Sequence, residues 1–189
     1  MRHINRAFLI IFIVSCGCGI AFREKAGPGP SICWMGDSRI EWFQNEKYFE
    51  NHQWNIGYRG YTSEKILLQI PEVQTMNPDI VVISIGINDE ALYNYAGFIG
   101  NMDFVIQSLK PYTTRLIITN VVPNAYYNAN RQAINEQLKN LCDSRAVQFV
   151  DLVGMESSDG IINMFYTYDG CHYNEAGQAE FAALIKAAL

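Results

Sequence analysis

The run Ile80-Val81-Val82-Ile83-Ser84-Ile85 is almost continuously apolar and β-branched. A strand with apolar side chains on both faces has to be buried on both, as happens when helices cover a parallel sheet from either side. Residues 32–35, 53–56, 116–121 and 147–152 are four further apolar runs of strand length. Stripes at helical spacing lie between them. Ile66, Ile70 and Val73 follow Thr62 or Ser63 as a cap, and Pro71 divides that stretch into two short helices. Phe98, Met102, Val105 or Ile106, and Leu109 form a stripe that stops at Pro111. Ile134, Leu138 and Leu141 form a third, and Phe181, Leu184, Ile185 and Ala188 close the chain behind Asn174 as a cap. This alternation predicts an α/β fold with a parallel sheet between two helical layers. In such folds ligands sit beyond the carboxyl ends of the strands.

With 189 residues the chain can bury one core well but not two. The first residues are of a different kind. Met1-Arg2-His3-Ile4-Asn5-Arg6 is basic, and the apolar run that follows is too short for a comfortable membrane span. It reads as an export signal over residues 1–15, with residues 16–30 as a tether containing Gly27-Pro28-Gly29-Pro30 and the folded domain over 31–189. Ile13-Val14-Ser15-Cys16 resembles a bacterial lipobox, which would make Cys16 the lipid-modified first residue of the mature protein; plain cleavage after Ala21 is the competing reading. Either way the domain is expected beyond the bacterial inner membrane, in the periplasm or outer envelope.

The net charge of −5 becomes −7 without Arg2 and Arg6 of the leader, and no basic run exists. A nucleic-acid partner held by phosphate neutralisation is therefore not expected. Nor is a metal site: His3 lies in the leader and His52 is isolated, so no histidine cluster has ligand spacing. The five cysteines form no disulfide framework. Cys16 and Cys18 belong to the leader junction, while Cys33 and Cys142 fall on a predicted strand and helix as small buried thiols. Cys171 precedes His172, but neighbours in sequence tend to point apart, which counts against a thiol catalyst.

The chemistry-bearing residues fall at predicted strand ends. Gly36-Asp37-Ser38 follows the first strand and presents a serine at a helix start, where backbone N–H groups favour developing negative charge. Taken alone, Ser38 reads as an N-cap. Gly57-Tyr58-Arg59-Gly60-Tyr61-Thr62 follows the second strand, and its glycines allow an N–H to face a bound oxyanion. After the third strand Gly86-Ile87-Asn88-Asp89 offers a neutral amide donor on a loop. After the fifth, Asp169-Gly170-Cys171-His172 offers a carboxylate and an imidazole, the partners a serine needs for nucleophilic acyl transfer.

In sequence order these four segments resemble the signature blocks of the SGNH hydrolase (GDSL-type lipase/esterase) family. Ser38 matches its nucleophile, Gly60 and Asn88 its oxyanion donors, and Asp169 and His172 its final Asp-x-x-His. The resemblance implies a three-layer α/β/α, flavodoxin-like fold with a five-stranded parallel sheet, and ester hydrolysis without a cofactor. Arg39 stands where the family often has an apolar residue, and Tyr61 where it often has Asp.

The substrate expected on these grounds is a small-molecule ester or acylated carbohydrate, with a short acyl or O-acetyl group. Lysophospholipid or thioester cleavage, a non-catalytic envelope binding module and a nucleotide binder are the alternatives; the last lacks a phosphate-cradling glycine pattern. Tyr93, Tyr95, Tyr126, Tyr127, Tyr166 and Tyr168 cluster near the strand ends, where their rings either line a substrate slot or roof the core. Tyr126, Tyr168 and Arg39 are the candidate substrate contacts. Arg39 and Arg59 either bring positive charge to the site or face solvent. The oligomeric state is not legible from the sequence.

Overall fold

The computed structural model describes residues 29–93, 95–122, 124–126 and 130–189. The leader with Cys16, and most of the tether, lie outside the described residues. Five parallel strands form one sheet: β1 (Ile32–Gly36), β2 (Gln53–Asn55), β3 (Ile80–Ser84), β4 (Arg115–Thr119) and β5 (Gln148–Val150), in the order β2-β1-β3-β4-β5. Ile80 pairs with both Ile32 and Arg115, so β3 is the central strand. All its residues are buried, as its unbroken apolar run requires.

Alternation along the strands sorts two cores. Cys33, Met35, Val81, Ile83, Leu116 and Ile118 face one way and meet α3 (Ile70–Met76), α5 (Phe98–Leu109) and α6 (Arg131–Arg145). Ile32, Trp34, Val82, Ile117 and Val150 face the other way and meet α1 (Ser38–Glu41), the segment around Phe43 and Phe49, and α7 (Glu175–Ala188). Trp34 anchors this second layer, edge-on to Phe43 with ring centroids 5.0 Å apart.

Local signals set some of the helix ends. Pro71 lies in the first turn of α3, where its missing N–H is harmless, and a 3-10 turn over Lys65–Gln69 precedes it. Asn174 caps α7 by accepting the Gly177 N–H. Thr62 Oγ1 accepts the Lys65 N–H at 3.4 Å, whereas Ser63 donates both its N–H and its hydroxyl to Asp89 and so ties this segment to the one after β3. Two short helices, α2 (Asn45–Tyr48) and α4 (Ile87–Tyr93), complete the set. Asn88, expected on a loop, sits at the start of α4 instead.

Strand order reverses direction around β1, with β2 on one side and β3 on the other. The carboxyl ends of β1 and β3 thus open onto a crevice at a topological switch point.

Candidate active site

β1 ends in a glycine because nothing larger fits. A Cβ on Gly36 would stand 2.1 Å from the Ser84 carbonyl oxygen and 2.6 Å from Ile40 Cγ1. This closeness lets the chain turn directly from β1 into α1. The cap of α1 is Asp37, not Ser38: the Asp37 side chain accepts the Arg39 N–H at 2.9 Å. The Ser38 hydroxyl is left for another partner. His172 Nε2 lies 2.9 Å from Ser38 Oγ, and His172 Nδ1 lies 2.7 Å from Asp169 Oδ2.

Desolvation tends to raise the Asp169 carboxyl, but hydrogen bonds from the His172 ring, the His172 N–H and the Cys171 N–H outweigh it and hold the value at about 2. An ionised carboxylate only accepts, so Nδ1 donates its N–H to Asp169, and in the neutral ring the Nε2 lone pair faces Ser38. Asp37, buried one residue before the nucleophile, goes the other way. Burial pushes it up to about 6, against the attraction of Arg39.

The acid–base loop is braced from within and from its neighbours. Thr167 Oγ1 and the Tyr168 N–H both donate to the His172 carbonyl, at 2.8 and 3.0 Å. The Ala125 N–H donates to the Gly170 carbonyl at 2.7 Å, and the Tyr126 hydroxyl to the Asp169 carbonyl at 3.1 Å. Trp42, one helical turn beyond Ser38, lies against the imidazole with ring centroids 4.2 Å apart. Sequence reasoning passed over Trp42; its spacing from Ser38 was the available signal.

Gly60 adopts φ +73°, a conformation that excludes most side chains, and a Cβ there would meet nothing within 4 Å. Backbone shape, not space, demands glycine. Asn88 Nδ2 donates to the Tyr61 carbonyl at 2.8 Å, which holds the amide against the Gly60 loop and commits one of its two N–H groups. The Ser38 N–H belongs to the first turn of α1, where no intrahelical acceptor exists. Behind Asn88, buried Asp89 accepts from Ser63 and locks the start of α4 to the Gly60 segment.

Other candidates stand elsewhere. Arg39 is neither at a substrate surface nor in solvent: it is 5 % exposed, and its guanidinium donates to the carbonyls of Val122 and Cys171. A long side chain at a helix start takes the direction in which acceptors stand, and here both lie inside. Arg59 is exposed but paired with Glu41 at 3.1 Å. Tyr95 is buried against Phe98 and belongs to the core, while Tyr166 is half-buried. Tyr126 and Tyr168 are exposed on the rim. Tyr127 and the Tyr93 side chain lie outside the described residues. Burial pushes the Cys33 and Cys142 thiols up to about 12, and it raises that of Cys171 as well, so all three are thiols at neutral pH. Among the described residues no group of three or more metal-ligating side chains converges.

Ser38, His172 and Asp169 thus stand in line at the switch point of a doubly wound α/β/α sandwich. Residues 26–180 match the model of the GDSL-like lipase/acylhydrolase family, and the chain belongs to that family. A GDSL-like lipase of Bacteroides thetaiotaomicron superposes with a TM-score of 0.76 at 26% identity, covering 84% of this chain and 87% of that one. An acetylxylan esterase of Geobacillus stearothermophilus shares the fold with a TM-score of 0.66 at 16% identity, covering 86% and 95%. N-acylneuraminate cytidylyltransferases of Streptococcus agalactiae are 25% identical over 146 residues, which is 75% of this chain and 34% of theirs. The chain therefore spans about a third of the length of those curated relatives.

Proposed function

We propose that the protein hydrolyses carboxylic esters through an acyl-enzyme on Ser38, acting on short-acyl or O-acetylated carbohydrate substrates. The observation that carries the reading is the continuous line from Ser38 Oγ through His172 to Asp169, with separations of 2.9 and 2.7 Å. His172 takes the Ser38 proton as Oγ attacks the ester carbonyl, and returns it to the departing alkoxide. Asp169, ionised throughout, balances the imidazolium. The tetrahedral oxyanion is received by the Ser38 and Gly60 N–H groups and the Asn88 amide. Water then attacks the acyl-enzyme, with His172 again as base. No cofactor enters this sequence.

Rim chemistry supports a neutral substrate. Arg39 is turned inward, Arg59 is neutralised by Glu41, and Lys47 by Glu175. Exposed Trp42, Tyr126 and Tyr168 offer rings of the kind that stack on sugars. Exposed Met164 and Phe165, just before the acid–base loop, favour a second reading, in which a longer acyl chain of a lysophospholipid or thioester is accommodated. The intact set of Ser38, Gly60, Asn88, Asp169 and His172 speaks against a binding module without activity.

The test is Ser38→Ala with a small acetyl ester: turnover disappears while circular dichroism and melting stay those of the parent. Retained turnover refutes the assignment. An acyl-chain-length series separates the two substrate readings, with acetyl preferred in the first and long chains in the second. Export with a lipid on Cys16 belongs to the same proposal, and radiolabelled fatty-acid incorporation that Cys16→Ser abolishes is its check.

A further inference from the structure

Arg39 is the residue after the nucleophile, yet its side chain serves three separate segments. Nη1 donates to the Val122 carbonyl at 2.7 Å, in the segment after β4. Nε donates to the Cys171 carbonyl at 2.9 Å, in the acid–base loop, and Nη2 lies 4.0 Å from Cys171 Sγ. The guanidinium carbon sits 5.2 Å above the Tyr173 ring, one residue beyond His172 on the other side. The carboxylate of Asp37 faces the same group. Arg39 is thus bonded or stacked to both chain neighbours of His172 while being itself the chain neighbour of Ser38.

From this we infer that Arg39 is a positioning residue that sets the separation of Ser38 Oγ and His172 Nε2. The inference rests on the reading of Ser38 and His172 as nucleophile and base. Hydrogen bonds inside the acid–base loop make it a stiff unit but do not say where that unit stands relative to Ser38. The chain between the two residues is 134 positions long. Through Arg39 the path shrinks to two peptide bonds and one planar ion. A guanidinium holds its donors in fixed directions, so two carbonyls from different segments are gripped at once. Lysine offers a single point charge and cannot reproduce that fork. Methionine fills similar space but leaves the Val122 and Cys171 carbonyls unpaired. Displacing a catalytic pair by about 1 Å lowers turnover roughly 100-fold, so a tie at this point acts on the rate of acylation more than on binding.

The experiment compares Arg39→Met and Arg39→Lys with the parent and Ser38→Ala. Folding is followed by near-ultraviolet circular dichroism well below the melting temperature. The readouts are kcat and KM for a small acetyl ester and the rate at which a fluorophosphonate labels Ser38. Folded Arg39→Met is expected to lose about 10- to 100-fold in kcat and in labelling rate, with KM little changed. Arg39→Lys should lose less, at a melting temperature near that of the parent. Wild-type kcat in folded Arg39→Met overturns the inference. So does a raised KM at unchanged kcat, which is the signature of a substrate contact. Should Arg39→Met fail to fold, full kcat in Arg39→Lys overturns it equally. Turnover surviving in Ser38→Ala marks the failure of the nucleophile reading instead.

Discussion

Asp37→Asn is expected to stabilise the protein at neutral pH and to leave it unchanged near pH 4. The Asp37 carboxyl is 2 % exposed, and burial raises it from 3.8 to about 6, with Asp89 adding to the effect while Arg39 and His172 oppose it. The folded state therefore holds this proton more tightly than the unfolded chain does. With respect to this group, stability is greatest below about pH 4, falls between about pH 4 and 6 as the unfolded chain ionises first, and is flat above. The rise corresponds to about 3 kcal/mol. Asparagine is the neutral isostere, and its Oδ1 accepts the Arg39 N–H as the carboxylate does, so the cap survives. At pH 8 the variant should be more stable by about 3 kcal/mol, which for a domain of this size is roughly 6–12 °C in melting temperature. At pH 4 the two curves should meet. The assay is urea denaturation of parent and variant from pH 4 to 8. A difference that does not vary with pH refutes the reasoning. A variant less stable at pH 8 refutes it too, because the attraction between Asp37 and Arg39 would then outweigh the desolvation.

Asn88→Ala should lower kcat for an acetyl ester by about 100- to 1000-fold with KM nearly constant, as loss of one oxyanion donor does; steady-state kinetics decide. Asp169→Asn should reduce kcat by about three to four orders of magnitude by reversing the imidazole tautomer. The folded Asp169 carboxyl, held at about 2, lies below its ordinary value, so its stabilisation is present above about pH 4 and lost as pH falls through 2. Melting curves of Asp169→Asn should accordingly fall less between pH 5 and 2 than those of the parent. Gly36→Ala places a Cβ 2.1 Å from the Ser84 carbonyl. With backbone on that side unable to yield, the destabilisation in urea should reach about 3 kcal/mol, the upper end for overpacking.

How much of this was legible in one dimension depended on whether the signal was local. The strands were, because apolar runs of strand length between helical stripes record burial directly: the 80–85 run became β3 and the 32–35 run β1. The Pro71 division and the Asn174 cap were legible for the same reason, since a missing N–H or a capping side chain acts within one turn. The helix over Ile87–Tyr93 was not, because Gly86 and two polar residues at its start mimic a loop, and what holds it is Asp89 meeting Ser63 from another segment. Tyr95 carried no sign that it would turn inward onto Phe98 while Tyr126 stayed on the rim.

The sequence by itself determined the layer architecture and the order in which serine, glycine, asparagine, aspartate and histidine arrive at successive strand ends. Periodicity and turn chemistry act over a few residues and are written there. Only the tertiary structure decided which of Asp37 and Ser38 caps α1, and that Arg39 runs inward to Val122 and Cys171. Those choices depend on acceptors brought together from segments far apart in the chain, and a side chain follows the partner that folding delivers.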